Sequence, residues 1–204
     1  LVNVMLEHTH PLHKVTIIPR GQALGATMSL PKEDVLNRGR KEMLAMITVM
    51  MAGRIAEQIV SGDISTGAAG DIQQATQLAR AMVCHFGMSE KLGMVQYGDD
   101  SEYVFLGRDM VRSKDYSEST AREIDAEVKR IIDECYTRAN EIITANRDKL
   151  QLIAESLLEY ETLDGNQVEE IIRTGKLTPT PAEAKTGPPT GAQAATPLPE
   201  IPKP

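Results

Sequence analysis

Residues 65–76 read S-T-G-A-A-G-D-I-Q-Q-A-T, which sets Asp71 behind two glycines and at the head of a helical pattern. Ala75, Leu78, Ala79 and Met82 follow it at spacings of three and four, so Asp71 is expected in line with a buried helix face. A carboxylate there has two readings. It is an N-cap, accepting hydrogen bonds from the free N–H groups of a first turn, or it is a metal ligand or catalytic carboxylate that needs partners elsewhere. The histidines are the next candidates. His8, His10 and His13 crowd E-H-T-H-P-L-H, and with Glu7 they have the donor types of a zinc site, but nothing in the spacing fixes a geometry. His85, near a helix C-terminus, is more simply a dipole partner. No G-x-S-x-G and no G-x-x-x-x-G-K-[ST] occurs, so neither an elbow serine nor a P-loop is present.

The elements that must position these groups are mostly helical. A β-branched run, His13 to Ile18, reads as a strand closed by Pro19-Arg20-Gly21, and Leu24 to Leu30 alternates as its mate. From about Leu36 to Val60 a helix carries Leu44, Ile47, Met51 and Ile55 as its stripe, widened by Met43, Met46 and Met50. Gly53 inside it costs about 1 kcal/mol relative to alanine, which predicts a close contact there. The Asp71 helix should run to about Phe86 and end at Gly87. Residues 87–116 are irregular, with short strands expected around Val95 and Val104 to Leu106. Thr120 and Glu123 read as the capping box of a long helix with the stripe Ile124, Val128, Ile131, Cys135, Ala139 and Ile142. A further helix carries Leu150, Ile153, Leu157 and Leu158. A last one is capped by Asp164, carries Val168, Ile171 and Ile172, and stops at Gly175. The C-terminal half thus reads as a helical bundle.

The chain has 204 residues, 41% of them hydrophobic, enough for a real core. Ten methionines and no tryptophan suit helix packing with adaptable side chains. A net charge of −7 argues against a phosphate-driven nucleic-acid surface. Cys84 and Cys135 form no C-x-x-C pair and read as small buried side chains in a reducing compartment. No apolar run of membrane-spanning length and no signal peptide is read in the sequence. Past residue 177 the composition changes: eight of the eleven prolines fall in 178–204, without a periodic apolar face. The expected organisation is one domain over 1–177 and a disordered tail over 178–204.

Four segments, H-K-V-T-I-I-P-R-G (13–21), A-G-R-I-A-E-Q-I-V (52–60), T-G-A-A-G-D-I-Q-Q-A-T (66–76) and G-M-S-E-K-L-G (87–93), together with F-L-G-R-D (105–109), occur in one order and spacing. In that register the chain resembles the peptidase domain of the FtsH-type, membrane-anchored AAA+ zinc metalloproteases, from Leu1 to about Gly175. The resemblance implies a helical peptidase domain with a small β-hairpin or sheet element. It also implies peptide hydrolysis by zinc-activated water in an ATP-dependent endopeptidase that degrades misfolded and membrane proteins. In that family two histidines of H-E-x-x-H and one later aspartate hold the zinc, and the motif's glutamate is the general base. Carried onto this sequence, the aspartate is Asp71. No H-E-x-x-H occurs in these 204 residues, so no catalytic residue is assigned within them. The helix that bears the motif in relatives is expected just upstream of Leu1. Either it was cut away or the native chain carries an altered motif, and these residues alone are expected to be inactive.

By the same resemblance Glu57 supports the site or is a plain helix glutamate, and Gly67 and Gly70 let the backbone turn toward the metal. Val15, Thr16, Ile17 and Ile18, or their hairpin mate, offer an edge for substrate strand addition. The partners implied are a homohexamer and unfolded or membrane polypeptides, with no nucleic acid. ATP and Mg enter only through an ATPase module, and the membrane only through segments, outside this chain. The implied location is the cytoplasmic face of the bacterial inner membrane or an equivalent organelle membrane, the fragment itself being soluble. The rival expectation is a non-catalytic helical assembly or adaptor domain of an inactive homologue.

Overall fold

The structure is a computed structural model and describes residues 1–19, 25–31, 37–98 and 116–178. The expected strands around Val104 to Leu106 and nearly all of the expected tail lie outside the described residues. In chain order the elements are α1 (Val2–Met5), β1 (Leu12–Thr16), β2 (Ala26–Ser29), α2 (Arg40–Ser61), a 3₁₀ turn (Thr66–Ala68), α3 (Ala69–Cys84), α4 (Glu118–Ala145), α5 (Arg147–Tyr160), β3 (Thr162–Asp164) and α6 (Gly165–Thr174). The fold is mostly α with a small antiparallel sheet, in the order β2-β1-β3.

Two apolar cores organise it. Helices α2, α3 and α4 pack together: Met43, Ile47, Met51 and Ile55 of α2 meet Ala75, Ala79, Met82 and Val83 of α3 and Ile124, Val128, Ile131, Cys135 and Ala139 of α4. The second core joins Leu12 of β1 and Leu163 of β3 to Ile153 and Leu157 of α5 and Val168 and Ile171 of α6. The helices of the C-terminal half therefore divide their apolar faces, α4 onto α2 and α3, α5 and α6 onto the sheet. Helix α2 has the length and mean hydropathy, 1.5, of a membrane span, which corrects the expectation of no such run. Its 43/47/51/55 face is buried against α3 and α4, the place of a core helix.

The helix ends follow local chemistry. Asp164 Oδ1 accepts from the Gln167 N–H at 2.9 Å and Gln167 Oε1 accepts from the Asp164 N–H at 2.8 Å, a complete capping box. Gly175 closes α6 with φ of 68°. Helix α3 ends at Cys84 and the chain reverses at Gly87, φ 57°, where the Met88 N–H reaches back to the Met82 carbonyl. The cap of α4 is Ser117, not Thr120: Ser117 Oγ accepts from the Thr120 N–H at 3.2 Å, so the helix begins before the expected Thr120–Glu123 box. Leu158, expected in the α5 stripe, is 77% exposed because Ser156 and Leu157 take that face. Val95, expected in a short strand, lies in irregular backbone.

One buried polar cluster escaped the apolar pattern. Glu127 on α4 is 3% exposed and takes Ser89 Oγ at 2.9 Å and Arg130 Nε and Nη2 at 2.9 and 2.7 Å. Ser89 Oγ in turn accepts from the Leu92 N–H, so Glu127 fastens the 87–93 turn onto α4. Hydrogen bonds from Arg130, opposed by burial, hold the Glu127 carboxyl below its ordinary range. Because the folded state favours the charged form, this contribution is present above the unfolded-state pKa and is lost as pH falls through the lower folded one. Glu127→Ala is expected to cost about 2 kcal/mol near neutral pH, since it takes the acceptor from the buried Ser89 hydroxyl and removes two hydrogen bonds of Arg130, which keeps only its pair with Glu134. Urea titrations of the variant and the parent should converge in acid; a gap that stays constant with pH would contradict the latch.

Candidate metal and peptidase site

Asp71 is the third residue of α3, and it is not the cap. The N-cap is Ala68, which makes no side-chain bond, and the preceding 3₁₀ turn is capped by Ser65, whose Oγ accepts from the Gly67 N–H at 3.1 Å. The expected buried position is also corrected. Residues 69–74 are all exposed and the buried stripe begins only at Ala75, because the first turns of α3 extend past the α2–α4 core. The carboxylate still faces α2: a β-carbon placed on Gly53 would lie 4.0 Å from Asp71 Oδ2, ordinary van der Waals contact. Beyond its own helix, no other atom of the described residues comes within 4 Å of that position, so the close helix or backbone contact expected at Gly53 is not found there.

The Asp71 carboxylate makes no hydrogen bond or ion pair to the described residues. In the first turn it gains only from the helix dipole. An exposed, aimed and unspent carboxylate fits one ligand position of a zinc site. Glu57 stands one turn beyond Gly53 on α2, half-buried and likewise unspent among the described residues. Gly67 lies in the 3₁₀ turn and Gly70 in the first turn of α3, and neither has a positive φ, so neither is required by backbone conformation. At Gly70 a β-carbon would meet nothing within 4 Å. At Gly67 a β-carbon would lie 3.2 Å from Ser65 Oγ.

The histidines do not assemble. His8 is exposed in the left-handed region, φ 64°, His13 is exposed on β1, and His10 Nε2 sits 3.4 Å from Glu42 Oε1, tying the segment before β1 to α2. No group of three or more metal-ligating side chains gathers among the described residues. Cys84 and Cys135 are both buried, as expected, and burial pushes both thiols up, away from nucleophile chemistry.

The substrate-strand candidates need correction. Val15 and Thr16 lie in β1, which pairs with β2 on one side and β3 on the other, so β1 has no open edge: Val15 is opposite both Thr27 and Leu163. Ile17 and Ile18 fall beyond the strand. The Ile17 N–H is spent on the Glu161 carbonyl at 3.0 Å and the Ile18 N–H on Thr16 Oγ1 at 3.2 Å. The hairpin mate β2 is an edge strand, and Met28 and Leu30 stand exposed on it and just past it. The missed strand β3, three residues long, is what closes the other side of β1. Ser89 and Glu127 were also missed; the available signal was a glutamate at 127, in phase with Ile124, Val128 and Ile131, with Arg130 three residues on.

With this geometry in place, the comparisons agree with one another. The chain is 54% identical over 195 residues to the ATP-dependent zinc metalloprotease FtsH 2 of Methylacidiphilum infernorum, covering 96% of this chain and 30% of that one. It is 54% identical over 183 residues to the ATP-dependent zinc metalloprotease FtsH of Akkermansia muciniphila, covering 89% and 22%. The FtsH of Bacillus subtilis is 49% identical over 178 residues, covering 87% and 28%. The chain thus spans between 22% and 30% of the length of these relatives. The model of peptidase family M41 matches residues 1–171, a span that takes in Asp71, Glu57, the sheet and the first two turns of α6, and the chain belongs to that family.

Proposed function

We propose that this chain is the peptidase part of an ATP-dependent zinc endopeptidase and that Asp71 is one of the protein ligands of its zinc. The observation that carries the site is the Asp71 carboxylate, set in the first turn of α3 over Gly53 and unspent among the described residues. When bound, zinc supplies a Lewis acid that polarises the scissile carbonyl and makes its water acidic enough to attack near neutral pH.

The part of this chain is to hold and to admit. From Ala75 on, α3 is anchored by buried residues on α2 and α4, so Asp71 is presented by a helix with little freedom to tilt. Gly67 and Gly70 keep bulk away from the approach, and Glu57, half-buried and unspent, orients a group of the completed site by hydrogen bonding. Substrate backbone adds along β2, the hairpin mate of β1, rather than along β1 itself. Main-chain pairing reads no particular sequence, which suits unfolded and membrane polypeptides as substrates.

The remaining parts of the reading rest on the family and on the relatives' names. The two histidine ligands and the general base come from an H-E-x-x-H outside these 204 residues. ATP and Mg act through an ATPase module, the working form is a homohexamer, and attachment to the cytoplasmic face of a bacterial inner membrane, or an equivalent organelle membrane, is made by other segments.

The test is casein hydrolysis with and without zinc. The 204 residues alone, with one ligand of three, are expected to cleave nothing above the zinc-free blank; a protein that joins them to an H-E-x-x-H helix should cleave. Zinc-dependent cleavage by the 204 residues alone would overturn the ligand assignment.

A further inference from the structure

A cleft of about 350 Å³ opens between the end of α1, the first turns of α2 and the middle of α4, and none of the residues assigned to the zinc and substrate site lines it. Its α2 wall is Lys41, Leu44, Ala45 and Thr48, spaced as one helix face, and α4 supplies Glu134, Cys135 and Arg138. The turn that closes it includes His8, whose φ of 64° is a conformation a non-glycine residue enters at a cost. The volume lies at the lower end of the roughly 300–1,000 Å³ usual for small-molecule pockets.

What such a cleft would hold follows from which polar groups are already spent. Thr48 Oγ1 donates to the Leu44 carbonyl at 2.7 Å and Cys135 Sγ to the same oxygen at 3.5 Å, while Glu134 is paired with Arg130 at 2.6 Å. With Leu6 and Ala45 beside them, the floor is apolar in effect. At the rim, Lys41 and Arg138 are cations with no ion pair or hydrogen bond to the described residues. Glu7, also at the rim and also unspent, disfavours a second negative charge on a ligand.

We infer that this cleft binds a small monocarboxylate with a short apolar side chain, the chemistry of a peptide's C-terminal residue. Lys41 and Arg138 hold the carboxylate, and the side chain lies on Leu44 and Ala45. Arginine and lysine meet a carboxylate through charge-assisted hydrogen bonds, and the apolar floor rewards a branched side chain over a bare acid. The site stands apart from the zinc reading, because its ligand is recognised by groups that the zinc site does not use.

The experiment is methyl NMR on the 204-residue chain, following Leu44 and Ala45, with N-acetylleucine and its amide as probes. The acid should shift these resonances saturably, and the amide, which lacks the charge, should bind at least tenfold more weakly. Lys41→Ala with Arg138→Ala, both exposed positions, should weaken the acid at least tenfold while the rest of the spectrum is unchanged; Arg138→Gln alone gives the same direction if the double variant folds poorly. Equal binding of acid and amide, undiminished binding by the variants, or no saturable shift would overturn the inference.

Discussion

Replacing Gly165 by alanine is expected to destabilise the protein by about 3 kcal/mol or more, a fall of roughly 6–12 °C in Tm for a domain of this size. A β-carbon at Gly165 would overlap the carbonyl oxygen of Leu12 and come within 2.9 Å of its carbonyl carbon. Both obstacles are backbone, so no rotamer change relieves them. Leu12 begins β1, and Gly165 begins α6 directly after β3, so any shift pulls at the β1–β3 pairing and at the second core together. The Asp164–Gln167 capping box sits at the same junction and would be disturbed with it. Gly70→Ala is the natural control. There the added methyl meets nothing, the residue lies in the first turn of α3, and the change should be neutral or stabilising by up to about 1 kcal/mol. Thermal melts of the two variants should therefore move in different directions; a Gly165→Ala protein that melts with the parent would refute the close approach.

The second large effect is on activity. Asp71→Ala, made in a protein that carries this domain together with the H-E-x-x-H helix, is expected to lower zinc-dependent casein hydrolysis at least about 100-fold. Loss of outer-shell groups alone typically costs 10–100-fold in metal affinity or activity, and a direct ligand should exceed that. Stability should hardly respond, by less than about 1 kcal/mol, because Asp71 is exposed, caps nothing and gives up only a first-turn dipole interaction. This separation of activity from stability distinguishes a ligand from a structural aspartate. A variant that keeps its activity, or loses it only in step with unfolding, would remove Asp71 from the site.

Much of this arrangement is legible in the residues. The stripe expected for α2 holds at Ile47, Met51 and Ile55, while its first position is taken by Met43 and Leu44 is only half-buried, and Gly87, Asp164 and Gly175 stop or start helices by local rules that need no tertiary context. What was hidden depended on distant partners. Thr162–Asp164 is too short to show a period and is a strand only because β1 lies beside it. That pairing in turn decides that Val15 and Thr16 have no free edge, so the hairpin mate inherits the role. The exposure of Asp71 depends on how far α3 runs past α2 and α4, which periodicity does not encode. Glu127 broke the rule that a stripe is apolar, and its partners Ser89 and Arg130 explain why it was tolerated. As for the site, the residues around Asp71 left its role open between cap and ligand. The family register proposed the ligand, and the structure removes the cap.

Zinc content tests most directly whether Asp71 holds the metal. A protein joining these residues to an H-E-x-x-H helix should carry one zinc per chain by elemental analysis after dialysis, and its Asp71→Ala variant, folded by circular dichroism, should lose most of it. Stoichiometric zinc retained by the folded variant would contradict the account, and no zinc in either protein would favour a non-catalytic assembly domain.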